Sequence, residues 1–371
     1  MRVCFVVSEF FAWGKYGGFG SMARMLGKAL LQRGVHVSAV VPRRNGQSHR
    51  EVIDGISTFS YPGQRVLSTD AYPLCDADIY HSFEATIATY AAMRAMPHRK
   101  HIITSIDPFD WNDWKMELQY DIRESWSRSL VYPLMWGYYS SPWVSHAVRK
   151  AHKVYCQAKF IIPKVRKMYH LRSDPLFLPN LYPVPNGPIR KAKEPTVCFL
   201  ARWDPRKRPE IFFELARKFP DVRFIALGKA HNEPRNQRLC EHYGDIPNLD
   251  LVGFVNPFES DRLKHVLRES WIMINTAARE GLPAAFIEAA AHKCAILSCL
   301  DPDGFASRGG YYAEDEDFVK GLNYLLEHNR WQELGERGYS YVRQVHDTDV
   351  VVTHHLNQYR SLLNLTSAGP N

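Results

Sequence analysis

Short apolar runs alternate with amphipathic segments along most of the chain. An apolar run at residues 2–7 is followed by a glycine-rich turn, by apolar residues at helical spacing from Met22 to Leu30, and by a second apolar run at 35–41. This order of strand, glycine turn, helix and strand predicts a βαβ unit. Further apolar runs at 78–81, 101–105 and 153–156 predict more strands, with helices between them. The first half of the chain therefore predicts a parallel sheet covered by helices.

A proline-rich stretch at 172–195 interrupts this pattern, and the alternation then starts again. Strands are predicted at 197–201, 222–227, 271–275 and 295–299, and amphipathic segments at 316–327, 330–344 and 348–363 predict the closing helices. Strands separated by helices indicate a second parallel, doubly wound sheet. The sequence thus predicts two α/β domains, residues 1–185 and 186–347, with the proline-rich stretch as the linker.

The stretch from Arg279 to Cys294 carries the first candidate chemistry. Pro283 suits the first position of a helix, and the alanines that follow are strong helix formers, so a helix is predicted from Pro283 through Ala291. Its unpaired backbone N–H groups and positive dipole end suit a phosphate or another anion. Glu280 lies just before the helix and Glu288 within it, and carboxylates accept hydrogen bonds from sugar hydroxyls. The alternative is an ordinary buried helix in which Glu288 is a solvated or N-terminal charge.

A basic cluster follows the strand predicted at 197–201. Arg202 offers a rigid fork to phosphate oxygens and Lys207 a mobile point charge, so the two can hold a diphosphate from two sides. A surface charge cluster without a ligand is the alternative. The position at the carboxyl end of a strand favours the diphosphate site.

These motifs together resemble the retaining glycosyltransferases of family 4. The resemblance rests on the Glu280-x7-Glu288 pair with Gly281-Leu282-Pro283 between, on Arg202 and Lys207, on Gly17-Gly18 after the first strand, and on Gly253-Phe254-Val255. The motifs occur in the family's order and span nearly the whole chain. The resemblance implies the GT-B fold, in which two Rossmann-like doubly wound domains face each other across a cleft. It also implies that the closing helix, about 348–371, packs back on the first domain.

The resemblance further implies an activity and a set of roles. The enzyme would move a hexose from a nucleotide-diphosphate sugar to a glycan, lipid-linked or small-molecule acceptor. No cofactor is expected besides this donor. Arg202, Lys207 and Glu280 would be catalytic, with Glu280 holding the donor hexose and Glu288 the ribose hydroxyls. The remaining donor-binding residues would contact the donor through their backbone or lie beside the nucleotide base: Gly17, Gly18, Phe254, Val255, Gly281, Leu282, Pro283 and Ala284.

Two residues at predicted strand ends are candidates for contacting the acceptor. His81 and Asp107 follow strands of the first sheet, and strand carboxyl ends face the ligand crevice in such folds. Alternatively, His81 is a satisfied structural histidine and Asp107 caps a turn before Pro108. The chain also departs from the family here, because Ile106 stands where many members have a histidine. This departure leaves the role of the loop on the acceptor side open.

Short acidic pairs allow a metal-dependent alternative. Asp76 and Asp78, Asp301 and Asp303, and Asp315 and Asp317 all have the Asp-x-Asp spacing. Such pairs arise often by chance, and the basic cluster already supplies the positive charge that a metal would provide. Metal dependence is therefore not expected.

Composition limits the compartment and the partners. The 371 residues carry a net charge of +8, and the seven cysteines show no Cys-x-x-Cys spacing, so a reducing cytoplasm is expected, without a disulfide framework. Residues 125–173 contain no acidic residue, and residues 111–143 hold five of the nine tryptophans. Core packing would explain these aromatic residues. The alternatives are a stacked glycan or lipid acceptor and peripheral contact with an anionic membrane at its inner face. A nucleic acid is not an expected partner.

Two other function classes stay open. A dinucleotide-dependent oxidoreductase would explain the first glycine loop, but Pro42-Arg43-Arg44 stands where such enzymes close the second strand with an acidic residue. A non-catalytic protein that binds sugar nucleotides would explain why Ile106 stands where many family members have a histidine.

Overall fold

The computed structural model describes residues 1–10, 17–43, 46–124 and 130–365 of the chain. The chain divides into two compact units. Unit 1 comprises Met1–Tyr182 and His346–Asn371, and unit 2 comprises Pro183–Val345. The boundaries from the sequence are residues 185 and 347. Where the chain leaves and re-enters unit 1, the Tyr182 N–H donates to the His346 carbonyl at 2.8 Å.

Unit 1 contains an eight-stranded sheet with the strand order β3-β4-β2-β1-β5-β6-β7-β8. The strands are β1 (Arg2–Val6), β2 (His36–Arg43), β3 (Arg50–Ile53), β4 (Ile56–Pro62), β5 (Ile79–Ser82), β6 (Lys100–Ser105), β7 (Lys153–Cys156) and β8 (Leu176–Phe177). The helices are α1 (Gly18–Leu31), α2 (Ile87–Ala95), α3 (Trp111–Glu124), α4 (Tyr132–Ser140), α5 (Pro142–Lys150), α6 (Ile162–Tyr169) and α14 (Thr348–Leu362). Neighbouring strands are parallel except β3 and β4, whose hairpin turns at Asp54 and Gly55 with φ of 50° and 81°. Both values are positive, as a type I′ turn requires.

The core of unit 1 lies on both faces of this sheet. Side chains alternate along β1, so Val3 and Phe5 pack into one apolar cluster and Cys4 and Val6 into another. The first cluster also includes Val351, Val352, Leu356 and Tyr359 of α14. The last helix is therefore part of the core of unit 1.

Unit 2 contains a six-stranded parallel sheet with the strand order β11-β10-β9-β12-β13-β14. Its strands are β9 (Thr196–Leu200), β10 (Arg223–Leu227), β11 (Leu249–Gly253), β12 (Ile272–Asn275), β13 (Ala295–Ser298) and β14 (Gly310–Tyr312). Its helices are α7 (Pro209–Lys218), α8 (Glu233–Tyr243), α9 (Arg262–Glu269), α10 (Ala284–Ala291), α11 (Phe305–Gly309), α12 (Phe318–Leu326) and α13 (Arg330–Val345). The chain moves outward from β9 to β11 and then returns to the other side of β9 with β12. The switch point of the topology thus lies between β9 and β12.

The start of α10 differs by one residue from the sequence-based prediction. The helix begins at Ala284, and Pro283 is its N-cap, with φ of −63° and ψ of 129°. The proline ring fixes only φ, and a φ near −65° is compatible with both helical and extended backbone. The extended ψ places Pro283 in the loop that leads into the helix.

None of the helices in the described ranges is long and apolar enough to cross a bilayer.

Candidate active site

The candidate active site of unit 2 lies on the two loops that follow β9 and β12. In open parallel sheets, ligands bind outside the carboxyl ends of the strands, at the point where the strand order reverses. Residues 201–208 follow β9 and residues 276–283 follow β12, and these strands are neighbours. Arg202, Lys207 and Glu280 therefore lie on adjacent loops at the switch point.

Hydrogen bonds join the two loops directly. The Thr276 hydroxyl donates toward the carbonyls of Lys207 and Arg208, at 2.7 and 2.9 Å. The Arg208 Nε donates to the Thr276 carbonyl at 2.6 Å, and the Ala278 N–H donates to the Arg206 carbonyl at 2.9 Å. The backbone of Lys207 is thus fixed to the loop that carries Glu280.

Lys207 and Glu280 form an ion pair across these loops. The Lys207 ammonium contacts the Glu280 carboxylate, and the two side chains are only 11% and 15% exposed. Burial opposes the charge on Glu280, but the nearby Lys207, Arg206 and Arg202 lower its pKa below the usual value. Burial also lowers the pKa of Lys207, against the raising effect of Glu280. The site therefore holds a charged pair in a partly water-excluded place, where electrostatic interactions are strong.

Arg202 is more open to solvent, with 42% of its side chain exposed. Its guanidinium contacts His231 Nε2 and lies 3.3 Å from Asp204 Oδ2. The His231 N–H donates to the other oxygen of Asp204 at 3.0 Å. His231 and Asp204 thus orient the guanidinium. His231 was not predicted from the sequence, because it lies 29 positions from Arg202, in the loop after β10.

Gly228 allows three loops to meet beside Arg202. Its φ is +135°, and a Cβ there would lie 1.9 Å from the Ala201 carbonyl oxygen, so no larger residue fits. Its N–H donates to the Gly253 carbonyl at 2.8 Å. Gly253, with φ of +78°, leads into the exposed Phe254 and the half-buried Val255. Through Gly228, the turn at 253–255 and the loop of Arg202 lie side by side.

The start of α10 presents backbone donors. No side chain caps this helix. In the described part of the chain, nothing accepts a hydrogen bond from the N–H groups of Gly281, Leu282 or Ala284. Together with the dipole of the helix, such groups form a site suited to an anion.

Glu288 lies one turn beyond Ala284, on the same side of α10. It is buried, and burial raises its pKa to about 7. Its carboxyl group has no hydrogen-bond or ion-pair partner among the residues described. A buried polar group is normally hydrogen-bonded, so this carboxyl group is suited to bind a ligand.

His81 does not have the properties of an acceptor-binding residue. It is fully buried in unit 1, and its ring nitrogens pair with the Tyr359 and Thr104 hydroxyls, both at 2.7 Å. Burial and the nearby His355 hold the pKa of its ring well below the usual value, so the ring is neutral. Since neither nitrogen is open to a ligand, the acceptor hypothesis is corrected in favour of the structural alternative.

Asp107 is buried beside a lysine. Lys164 Nζ lies 2.7 Å from its carboxylate and 2.6 Å from that of Asp113. This arrangement ties the loop after β6 to α3 and α6. Contact between Asp107 and an acceptor stays a prediction.

The glycine loop of unit 1 meets an acidic side chain. Gly17 is the N-cap of α1, and the Gly20 N–H donates to Glu9 Oε1 at 2.9 Å. A Cβ on Gly17 would lie 2.5 Å from the same oxygen, so a larger residue there would displace the Glu9 side chain. Glu9 was not predicted from the sequence. Phosphate contact by Gly17 and Gly18 stays a prediction.

The three acidic pairs have structural partners. Asp76 and Asp78 both pair with Arg2 and Arg99. The other two pairs act at turns and helix starts: Asp301 accepts from the N–H groups of Ala306 and Ser307, Asp315 from that of Asp317, and Asp317 from that of Lys320. The described residues contain no group of three or more His, Cys, Asp or Glu side chains that could hold a metal. Metal independence of the reaction stays a prediction.

Two family models match the chain. Residues 186–307 match the model described as glycosyl transferases group 1, and residues 2–118 match the one described as the starch synthase catalytic domain. No curated protein matches the sequence. The matched domains define the class of protein: the chain is a glycosyltransferase, as predicted. Residues 186–307, which contain Arg202, Lys207 and Glu280, form its glycosyl transferases group 1 domain. Membership of family 4 in particular stays a prediction.

Solved glycosyltransferase structures share the fold over nearly the whole chain. Sucrose-phosphate synthase from Thermosynechococcus elongatus has a TM-score of 0.74 at 13% identity, covering 98% of this chain and 100% of that one. The Anabaena protein HepE, solved with UDP and glucose, has a TM-score of 0.67 at 12% identity, covering 97% and 100%. WaaG, a glycosyltransferase involved in lipopolysaccharide biosynthesis, has a TM-score of 0.65 at 14% identity, covering 96% and 99%. The prediction of the GT-B fold is thereby confirmed.

Proposed function

We propose that the protein is a retaining glycosyltransferase that moves a hexose from a nucleotide-diphosphate sugar to a glycan or lipid-linked acceptor. One observation carries the proposal. At the switch point of unit 2, two cationic side chains, a carboxylate and an uncapped helix start lie on two hydrogen-bonded loops. HepE was solved with UDP and glucose, and starch synthase IV from Arabidopsis thaliana with ADP and acarbose. A donor of this chemical class suits the charges of the site.

The leaving diphosphate binds the cationic side of the site. The exposed Arg202 guanidinium offers paired donors to phosphate oxygens, and the N–H groups at Gly281, Leu282 and Ala284 add backbone donors. Lys207 exchanges its Glu280 partner for the diphosphate. These groups stabilise the negative charge that grows on the leaving group, a contribution that is usually large in transfer reactions.

The donor sugar and ribose bind the two carboxyl groups. Once Lys207 contacts the diphosphate, Glu280 is released to accept hydrogen bonds from hydroxyls of the hexose. Glu288 accepts hydrogen bonds from the ribose hydroxyls, which gives its buried carboxyl group the partners it lacks. Phe254 lies beside the base.

The reaction retains the configuration of the sugar. The bond between the anomeric carbon and the diphosphate oxygen breaks, and the acceptor oxygen forms its bond on the same face of the ring. An oxygen of the departing diphosphate takes the acceptor proton, so the products are a glycosylated acceptor and a nucleoside diphosphate. No protein base is needed for this step, and therefore Ile106 in place of a histidine is compatible with activity.

The acceptor side is proposed from the composition of residues 111–173. This stretch is aromatic and, from residue 125 onward, free of acidic residues. Such a surface suits a lipid-linked glycan at the inner face of a membrane, with the enzyme in the cytoplasm.

Turnover by the purified full-length protein tests the proposal. A thermal-shift screen of uridine, guanosine and adenosine diphosphate sugars selects the donor, because a ligand that binds only the native state raises the melting temperature. Release of nucleoside diphosphate from that donor is then measured. We expect Arg202→Ala and Lys207→Ala to lower this rate at least about a hundredfold, the usual effect of removing a group that stabilises transition-state charge.

Two exposed cations of the same unit provide matched controls. Arg217 on α7 pairs with Glu214, and Lys264 on α9 pairs with Asp261. Their alanine variants are expected to keep wild-type rates. Wild-type rates in Arg202→Ala and Lys207→Ala would refute the assigned roles, and donor binding without any turnover would favour a non-catalytic binding protein.

A further inference from the structure

Large apolar side chains are exposed close together in unit 1. Six of them occur within fourteen residues of chain and form what we term the α4 surface: Leu130, Val131, Leu134, Met135, Trp136 and Trp143. Leu134 is the most exposed of the six, at 76%. Single exposed apolar residues are ordinary, but a concentration of this kind marks a site of interaction with a protein or a membrane.

The contacts of α4 distinguish its buried residues from its exposed ones. The helix contains no charged residue. Leu134 and Met135 lie on the helix, Val131 is its N-cap, and Leu130 directly precedes the cap. Tyr132 and Tyr139 instead contact the ring of Trp114, with ring centroids 5.9 and 6.5 Å apart. The helix thus buries one side against Trp114 and exposes the other.

Hydrogen bonds and an ion pair fix the helices beneath the α4 surface. Trp114 Nε1 donates to Ser140 Oγ at 3.1 Å, which fixes the end of α4 to α3. Asp110 accepts from the N–H of Asn112 at 2.8 Å, and Lys164 joins α3 to α6 through Asp113. A surface held in this way presents its apolar side chains without having to fold first.

Trp143 extends the surface onto α5. Its ring stacks on Tyr90 of α2, with centroids 6.5 Å apart and an angle of 29°, although 54% of the residue is exposed. An indole with one face supported and the rest in solvent is typical of residues at a membrane interface, where an apolar ring and a polar N–H are both accommodated.

Basic residues predominate in the segment that carries this surface, although α3, which packs against α4 through Trp114, also carries Asp113 and Glu117. Residues 125–173 contain no Asp or Glu. Helix α5, which packs against α4, ends in Arg149 and Lys150, which are exposed and have no ion-pair partner in the described part of the chain. Anionic lipid headgroups attract basic residues near an apolar surface, and the attraction weakens with salt.

We propose that the α4 surface docks on an anionic lipid bilayer, with its Leu, Met and Trp side chains entering the headgroup region and Arg149 and Lys150 contacting the headgroups. The docking surface belongs to unit 1, whereas the diphosphate site belongs to unit 2. The inference rests on the membrane location in the proposed function and assigns the contact to one surface of unit 1. Vesicle binding is measured without a donor, so its outcome is separate from the outcome of the turnover assays.

Vesicle co-sedimentation of the full-length protein tests the inference. We expect the protein to sediment with vesicles of phosphatidylcholine and phosphatidylglycerol at about 100 mM salt, more weakly at 500 mM, and little with phosphatidylcholine alone. Leu134→Glu with Trp136→Glu is expected to lower the bound fraction at least about tenfold, since charged side chains are costly in the bilayer. Arg149→Glu with Lys150→Glu is expected to remove the preference for the anionic vesicles.

Leu74→Glu is the matched control. Leu74 is 65% exposed in unit 1 but lies outside the α4 surface, so this variant is expected to bind like the wild type. Circular dichroism and the melting temperature establish that each variant is folded. The inference is wrong if the wild type ignores anionic vesicles, or if the Leu134 and Trp136 double variant binds them as the wild type does. It is also wrong if light scattering shows a wild-type dimer that the double variant loses, because the surface would then join two copies of the chain.

Discussion

The Lys207 ammonium contacts the Glu280 carboxylate, and both side chains are mostly buried in unit 2. The group proposed to bind the leaving diphosphate is thus paired with the group proposed to bind the hexose. In the proposed mechanism, a nucleoside diphosphate separates this pair on binding, and hydrogen bonds from the hexose to Glu280 compensate for the separation.

Glu280→Gln tests this competition. Without the carboxylate, Lys207 has no charged partner to give up, so we expect a nucleoside diphosphate to bind about three- to tenfold more tightly, as measured by calorimetry. Transfer from the full nucleotide-sugar is expected to fall at least about a hundredfold. Glu336→Gln is the control, because Glu336 pairs with Lys293 elsewhere in the unit. Weaker diphosphate binding in Glu280→Gln would contradict the proposed exchange of partners.

Donor binding is expected to depend on the ionisation of Glu288. Burial raises its pKa to about 7, and the deprotonated carboxyl group accepts hydrogen bonds from both ribose hydroxyls. The affinity for a nucleotide-sugar, whose diphosphate does not titrate in this range, should therefore rise up to about tenfold between pH 6 and pH 8. Calorimetry at the two pH values measures the change. The dependence should disappear in Glu288→Gln and with a donor that lacks the ribose 2′- and 3′-hydroxyls.

Gly228→Ala is expected to damage both stability and donor binding. The added Cβ would lie 1.9 Å from the Ala201 carbonyl oxygen, at a φ of +135° that alanine rarely adopts. Relief of this clash moves the loop of Arg202, so we expect a loss of about 3 kcal/mol or more in the free energy of unfolding. Gly187→Ala provides the comparison, since its φ is also positive, at +108°, but nothing lies within 4 Å of the added atom. Equal melting temperatures for the two variants would contradict the close approach.

Unit 1 is expected to lose stability in mild acid through His355. Burial lowers its pKa to about 4, so between pH 6.5 and pH 4 the unfolded chain binds a proton that the folded chain does not. The free energy of unfolding should therefore be unaffected above pH 6.5 and should fall by about 3 kcal/mol as the pH decreases to 4. Denaturant unfolding across this range measures the slope. We expect a smaller slope in His355→Phe, whereas His36→Gln, at an exposed position of β2, should leave the slope unchanged.

The sequence predicted the two sheets because parallel strands buried on both faces appear as apolar runs, while the covering helices retain their amphipathic spacing. It also placed Arg202, Lys207 and Glu280 on loops at strand ends, because such positions follow from the local order of strand and loop, while their catalytic roles stay a prediction. His231 and Glu9 were missed because each acts through a contact between distant loops. The structural role of His81 likewise depends on Tyr359, which lies 278 positions away, and no local pattern reports such a pairing.

Pro283 shows that a residue type alone does not fix where a helix begins. Its ring fixes φ near the helical value, but ψ is decided by the loop that enters α10, so the helix begins one residue later than the sequence indicates.

Because α14 completes the core of unit 1 while unit 2 occupies the chain before it, the first unit made by the ribosome is the last to be finished. A nascent chain that has already folded unit 2 still exposes the apolar surface that Val351, Val352, Leu356 and Tyr359 will cover. Premature termination before this helix leaves a molecule in which unit 2 is folded and unit 1 exposes apolar surface. Such a molecule is a substrate for chaperones and proteases.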